Sequence, residues 1–253
     1  MLSELLTLNI FGFFLIFARV GTAFLALPGF SAAYVTVRLR LLIALAVSFV
    51  VAPLLIPDLP VIPATPTALF LLFLGEIVIG GFFGAIGRIT VGALHVAGTV
   101  IAYLAGMANA FIQDPVAEAQ GSIISGFLTT TAIVLIFISD MHHLMLRAVT
   151  ESYAIFQPGE PFSIPDMAFM IARRVSDTFT LGVQLASPFL LTGITHFLML
   201  GLLGRLLPNL PVFFFGLPIQ IATQIIILSI VLSGIMLMFM TSFGEVFQPF
   251  VAP

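Results

Sequence analysis

The stretch ALFLLFLGEIVIGGFFGAIGRITVGALHVAGTVIAYLA, residues 68–105, decides what kind of fold this chain can adopt, because its only carboxylate is Glu76 and its only arginine is Arg88. A bilayer core is crossed by roughly 20 apolar residues in a helix, so the stretch holds two such lengths, read as helices over 68–87 and 89–105 with Gly87-Arg88 at the join. The same ruler, moved outward, picks out 5–27 and 41–56 upstream and 123–138, 179–207 and 212–240 downstream. Composition agrees: the 253 residues are 60% hydrophobic and 8% charged, too few charges to cover a core with a polar shell. The fold class expected is all-α, a polytopic membrane protein of about six or seven hydrophobic helices, arranged as hairpins with Pro and Gly breaks.

Charge and cysteine content exclude other classes. Arginine supplies all eight basic residues against eleven Asp and Glu, for a net charge of −3, so there is no lysine-rich patch for nucleic acid. Without cysteine there is no disulfide framework and no thiolate metal site. Glu4 stands where a signal peptide has basic residues, and the apolar run continues past a signal h-region, so the first helix is read as retained.

The breaks fall at Pro28-Gly29, across 57–66 and at Asp114-Pro115. Residues 140–177 are less apolar: Met141, Leu144, Met145, Ala148 and Ser152 share a helical face opposite His142, His143, Arg147 and Glu151, which reads as an interfacial or partner-covered helix. Ser163 and Asp166 form a capping box that opens a helix running to Leu207. Such a helix measures about 65 Å at 1.5 Å per residue, so it is expected to bend at Ser187-Pro188 or to project from the membrane. Arg38 and Arg40, Arg88, and then Arg147, Arg173 and Arg174 occupy alternate connections, which places the N-terminus outside by the positive-inside rule.

Few residues offer chemistry. Glu76, in an apolar helix, needs a partner or water to stay ionised, and Arg88, about 18 Å further along a continuous helix, cannot be that partner. Gly80 and Gly84 form a small-xxx-small pair that lets another backbone approach, with Gly81 and Gly87 extending the smooth surface; Glu76, Gly80, Gly84 and Arg88 are read together as buried polar and packing positions. Adjacent His142 and His143 should diverge by about 100° on a helix, and His95 and His196 are isolated, so no metal site and no cofactor are expected. HExxH, GxSxG, P-loop and dinucleotide patterns are absent, and no enzyme activity is expected. Residues 106–120 interrupt two apolar helices with Gly, Asn, Gln and Asp-Pro. Non-helical backbone at membrane depth survives only when protein buries it or a wet cavity receives it, so this segment is either a loop dipping into the headgroups or a re-entrant plug.

Several stretches together resemble one family, FliR of the flagellar export gate and its SctT counterparts in type III secretion injectisomes. Arg19-Val20-Gly21, Pro28-Gly29-Phe30 and Val37-Arg38-Leu39-Arg40 look like its opening helix and first loop, and Gly75-Glu76 with Gly80 resembles its glutamate-glycine helix. Asp140-Met141-His142-His143, with Arg147, Ser152 and Tyr153, resembles its Asp-Gly-His-His segment, Met141 replacing the usual Gly; 184–188, 201–208 and 213–218 follow its later pattern. The resemblance spans nearly the whole chain. It implies a non-enzymatic export-gate subunit in the bacterial inner membrane and flagellar basal body, the injectisome gate being the alternative and a small-molecule or ion transporter a more distant one. Residues 1–253 would form one export-gate domain, with 1–178 FliP-like and 179–253 a FliQ-like helical hairpin, in a hetero-oligomeric cone with FliP-like and FliQ-like subunits. FlhB-like and FlhA-like components, unfolded exported proteins and membrane lipid are the other implied partners, and nucleic acid is not. The plug would comprise Gly106, Met107, Ala108, Asn109, Ala110, Phe111, Ile112, Gln113, Asp114 and Pro115 within 106–120, with Phe111 and Ile112 closing the pore.

Overall fold

The computed structural model describes residues 2–107, 111–113, 120–161, 163–207 and 211–251. Seven α-helices are found among them: α1 (Leu2–Ala26), α2 (Val37–Leu55), α3 (Pro66–Leu104), α4 (Ile123–Ile138), α5 (Met141–Ile155), α6 (Ile164–Leu206) and α7 (Val212–Phe247). Among the described residues the regular structure is helical apart from one short antiparallel ribbon, β1 (Phe111–Gln113) with β2 (Gln120–Ser122). By length and composition, α2, α3, α6 and α7 can each cross a membrane, and α4 with α5, bent by 74° at their junction, can form a fifth, broken span.

The 68–105 stretch is one helix, not two. No proline stands between Thr67 and Leu104 to remove a backbone donor, and the glycine expected to end the first helix is used for close packing: a Cβ on Gly87 would lie 2.8 Å from Pro28 Cδ. Arg88 therefore lies within α3 and not in a connection, which removes one step of the charge alternation used to orient the chain. At Ser187-Pro188, where a bend or a projection from the membrane is expected, α6 contains Pro188 within a single helix of 43 residues. Its first turn begins at Ser163, whose Oγ accepts from the Asp166 N–H at 3.4 Å.

Two compact units are interleaved along the chain, one formed by 1–90, 136–174 and 243–253 and the other by 91–135 and 175–242. The core of the first takes Leu15, Ile16, Phe24, Phe83, Ile86 and Phe247, all nearly free of solvent. Its α1–α2 connection is closed by Arg40, which donates to the carbonyls of Phe30 (2.8 Å), Ala32 (3.2 Å) and Val35 (3.4 Å). The second unit buries Leu94, Ala97, Ile101, Leu128, Phe189 and Phe239, and close helix approach is built in: a Cβ on Gly182 would meet Val96 Cγ1 at 2.8 Å, and one on Gly193 would meet Leu104 Cδ2 at 2.9 Å. Large apolar side chains such as Leu54, Phe214 and Ile230 stand more than two-thirds exposed, as they do on surfaces that face lipid or another apolar chain.

Candidate functional site

In the first unit, one guanidinium organises three helices. Arg19 of α1 is fully buried and forks onto Glu76 of α3, Nε donating to Oε2 at 2.7 Å and Nη2 to Oε1 at 2.9 Å. Its remaining reach goes to the end of α5: Nη1 donates to Ser152 Oγ at 2.9 Å, and Nη2 also donates to the Phe156 carbonyl at 2.8 Å. The Tyr153 ring covers it, with Cζ 3.7 Å from the ring centroid, a cation–π contact that gains strength away from water. Ser152 passes its own proton to the Val149 carbonyl at 2.6 Å and so can only accept from Arg19. Phe83 packs against Phe250 with ring centroids 4.9 Å apart, and Phe82 and Phe156 join the same aromatic cluster.

The sequence pattern explains how this charge pair is reached. A Cβ on Gly80 would sit 2.1 Å from both the Arg19 carbonyl and Thr22 Oγ1, and one on Gly84 would sit 2.5 Å from Ala26 Cβ. Both positions must therefore lack a side chain for α1 and α3 to come close enough for Glu76 to meet Arg19. Two expectations are corrected here. Arg88 is exposed and not a buried packing residue, because it is twelve positions from Glu76, about 120° around a helix with 3.6 residues per turn. Gly81 faces open space and adds nothing to the packed surface. Sequence reasoning does not reach Arg19 as the partner of Glu76, although the rule that singles out Glu76, an ionisable group inside an apolar helix, applies equally to Arg19.

In the second unit, the interruption at 106–120 has ordered supports at both ends. α3 stops on Gly106, at φ 71°, with the Gly106 N–H on the Tyr103 carbonyl (3.1 Å) and the Met107 N–H on the Ala102 carbonyl (2.9 Å), the paired bonds of a glycine-terminated helix. The Leu104 carbonyl, which has no partner within its own helix, accepts from Gln220 Nε2 of α7. At the far end Ser122 caps α4, its Oγ accepting from the Ser125 N–H at 3.1 Å and donating to the Gly98 carbonyl at 3.1 Å. Ser125 Oγ returns a bond to the Ser122 carbonyl at 2.9 Å, and a Cβ on Gly98 would strike Ser125 Cα at 2.3 Å. Among the described residues of this segment, 111–113 pair antiparallel with 120–122: Phe111 stands opposite Ser122, Ile112 opposite Gly121 and Gln113 opposite Gln120. Of the expected plug residues, Gly106 and Met107 form the helix stop and Phe111, Ile112 and Gln113 form β1, while Ala108, Asn109, Ala110, Asp114 and Pro115 lie outside the described residues.

The histidines divide. His196 Nε2 lies 3.2 Å from the Gly216 carbonyl, a structural bond between α6 and α7, whereas His142 and His143 come together at the start of α5 with ring centroids 4.1 Å apart. α5 buries Met145, Ala148, Val149, Ser152 and Tyr153 and leaves Arg147 exposed, paired with Glu151 at 2.9 Å.

Comparison with known proteins places these features in context. The family model described as bacterial export proteins, family 1, matches residues 10–246. The flagellar biosynthetic protein FliR of Caulobacter vibrioides is 30% identical over 236 residues, 93% of this chain and 94% of that one. The protein of the same name from Bacillus subtilis is 27% identical over 226 residues, 88% of this chain and 86% of its own. The secretion system apparatus protein SsaT of Salmonella typhimurium is 28% identical over 148 residues, 58% of this chain and 57% of that one.

Proposed function

The chain belongs to the bacterial export proteins, family 1, the family of FliR and its injectisome counterparts, and from that premise we propose that it is a structural and gating subunit of the flagellar protein export gate in the bacterial inner membrane. The observation that carries the gating part is the ribbon of β1 and β2, set between two apolar helices and held at each end by a dedicated support, Leu104 with Gln220 and Ser122 with Gly98. Paired backbone is what allows a short non-helical segment to enter a pore without leaving its polar groups unmet. In this reading residues 106–120 are the plug, with Phe111 and Ile112 as the apolar closure, and the Arg19–Glu76 pair is a packing device and not a conduction element. Exposed apolar faces on α6 and α7 take FliP-like and FliQ-like subunits and lipid, with FlhB-like and FlhA-like components further out. The 179–253 part acts as the FliQ-like hairpin, its join with the FliP-like 1–178 falling within α6. Unfolded exported proteins are the cargo, and the subunit contributes shape and closure but no bond chemistry.

Deletion of 106–120 tests this directly. Cells carrying the deletion should assemble the gate, recovered by copurification with the unlike membrane subunits, yet leak small ions across the inner membrane. An assembled deletion gate with wild-type ion permeability would refute the plug. The SsaT similarity favours a second reading, an injectisome gate; restoration of secretion in an injectisome deletion strain, without restoration of motility in a flagellar one, would select it.

A further inference from the structure

The corner between α4 and α5 brings together three donors. Asp140, between the helices, adopts φ 59° and ψ 13°, a left-handed conformation that is uncommon for a non-glycine residue and clusters at functional sites. An Asp preceding a helix ordinarily caps it with its carboxylate; Asp140 makes no such bond. The His143 N–H instead closes a turn onto the Asp140 carbonyl at 3.0 Å, and the carboxylate Oδ1 lies 3.5 Å from His143 Nδ1. His142 stacks on Phe137, centroids 5.0 Å apart at 16°, and its ring stands 4.1 Å from that of His143. The divergence expected of neighbouring helical residues is therefore overcome, because both side chains fold back over the corner. One donor atom from each of Asp140, His142 and His143 falls within 4.8 Å of the other two. His142 Nδ1 is buried with no hydrogen-bond partner among the described residues, a state that costs free energy until a partner or ion meets it. The nearby cation, Arg147, is engaged by Glu151 at 2.9 Å and does not compete for the carboxylate.

We propose that Asp140, His142 and His143 form a three-ligand site for a divalent first-row transition ion, of which Zn²⁺ is the type. Two imidazoles and one carboxylate are a donor set that selects such ions over Mg²⁺ or Ca²⁺. Metal–ligand bonds of about 2.1 Å put neighbouring donors about 3.4 Å apart in a tetrahedron, so donors that lie within 4.8 Å of one another must close by up to about 1.4 Å. The Asp140 and His143 side chains, 77% and 66% exposed, are free to make that movement. A fourth position is left for water or for a donor from another subunit. Binding would fix the start of α5, the helix whose other end brings Ser152, Tyr153 and Phe156 to Arg19. The site stands independently of the gate reading.

The test uses the full chain, purified in detergent without a polyhistidine tag and stripped with chelator. Titration with Co²⁺, followed by its visible absorption and by competition with Zn²⁺, should give one ion per chain. Asp140→Asn, His142→Ala and His143→Ala should each weaken binding at least about tenfold, while His95→Ala leaves it unchanged. Zn²⁺ should raise the thermal midpoint of the wild-type chain but not that of the His142→Ala/His143→Ala double variant; helix content by circular dichroism and elution volume identify variants that remain folded. The proposal fails if the folded double variant binds Co²⁺ as the wild type does, or if the wild type shows no saturable binding below about 100 μM, a bound of about −5.5 kcal/mol.

Discussion

The two units solve the same problem, holding helices together where the hydrophobic effect is weak, with different chemistry. The first uses a buried charge pair, Arg19 with Glu76, and ties α1, α3 and α5 to one guanidinium. Buried polar side chains of the second, Ser122, Ser125, His196, Gln220 and Gln224, carry no permanent charge. The difference lies in what happens on failure. A buried ion pair adds little net stability over a well-packed apolar substitute, yet removing one partner is severe, because the charge left behind has no water to turn to. A neutral amide or hydroxyl that loses its partner forfeits one hydrogen bond and the desolvation of one group. The first unit is thus built to be held in one arrangement, and the second, which carries the ribbon, can exchange its contacts at modest cost.

The largest effect expected is from Glu76→Ala, which strands the Arg19 charge and should cost about 3–5 kcal/mol, read as a large fall in the thermal midpoint of the purified chain in detergent. Glu76→Gln, which keeps the shape, should fall between that variant and the wild type. If Glu76→Ala costs no more than a neutral substitution in the second unit, the contrast between the units is broken. Next comes Gln220→Leu, which leaves the Leu104 carbonyl without its partner at the end of α3. It should cost about 1–3 kcal/mol and speed amide exchange at Gly106 and Met107 while leaving exchange in α1 at wild-type rates; matching acceleration in α1 would show that the units do not respond separately. The smallest is Ser122→Ala, which removes the cap of α4 and the bond to Gly98. A loss of about 0.5–2 kcal/mol, with protease sensitivity raised only near the ribbon, would sharpen the comparison by showing that the ribbon can be loosened without unfolding its support.

Part of this arrangement is legible in the sequence. Glu76 signals a need for a partner, because a lone carboxylate in an apolar helix cannot stay ionised unaided. Gly80 and Gly84 signal a close neighbour, because a stripe of small residues leaves room for a second backbone. The buried face of α5 follows from helical periodicity at Met145, Ala148 and Ser152. Arg19 as the partner is not legible, since 57 residues separate it from Glu76 and helical periodicity relates only positions on the same helix. The join at Gly87-Arg88 misleads because glycine is ambiguous: it ends some helices, and here it admits Pro28 against a helix that continues.

By itself, then, the sequence determined the solvent and the class of element: so few charges over such long apolar runs require helices in a nonaqueous setting, since only a helix meets all its backbone bonds within one segment. Tertiary structure alone decided which buried charges meet, that 111–113 after α3 pair with 120–122, and that two histidines expected to diverge converge with Asp140 at a 74° corner. These outcomes depend on distances between segments far apart in the chain or on a backbone turn that no periodicity encodes. Local pattern fixes what a segment is, while partner choice is settled only when segments pack.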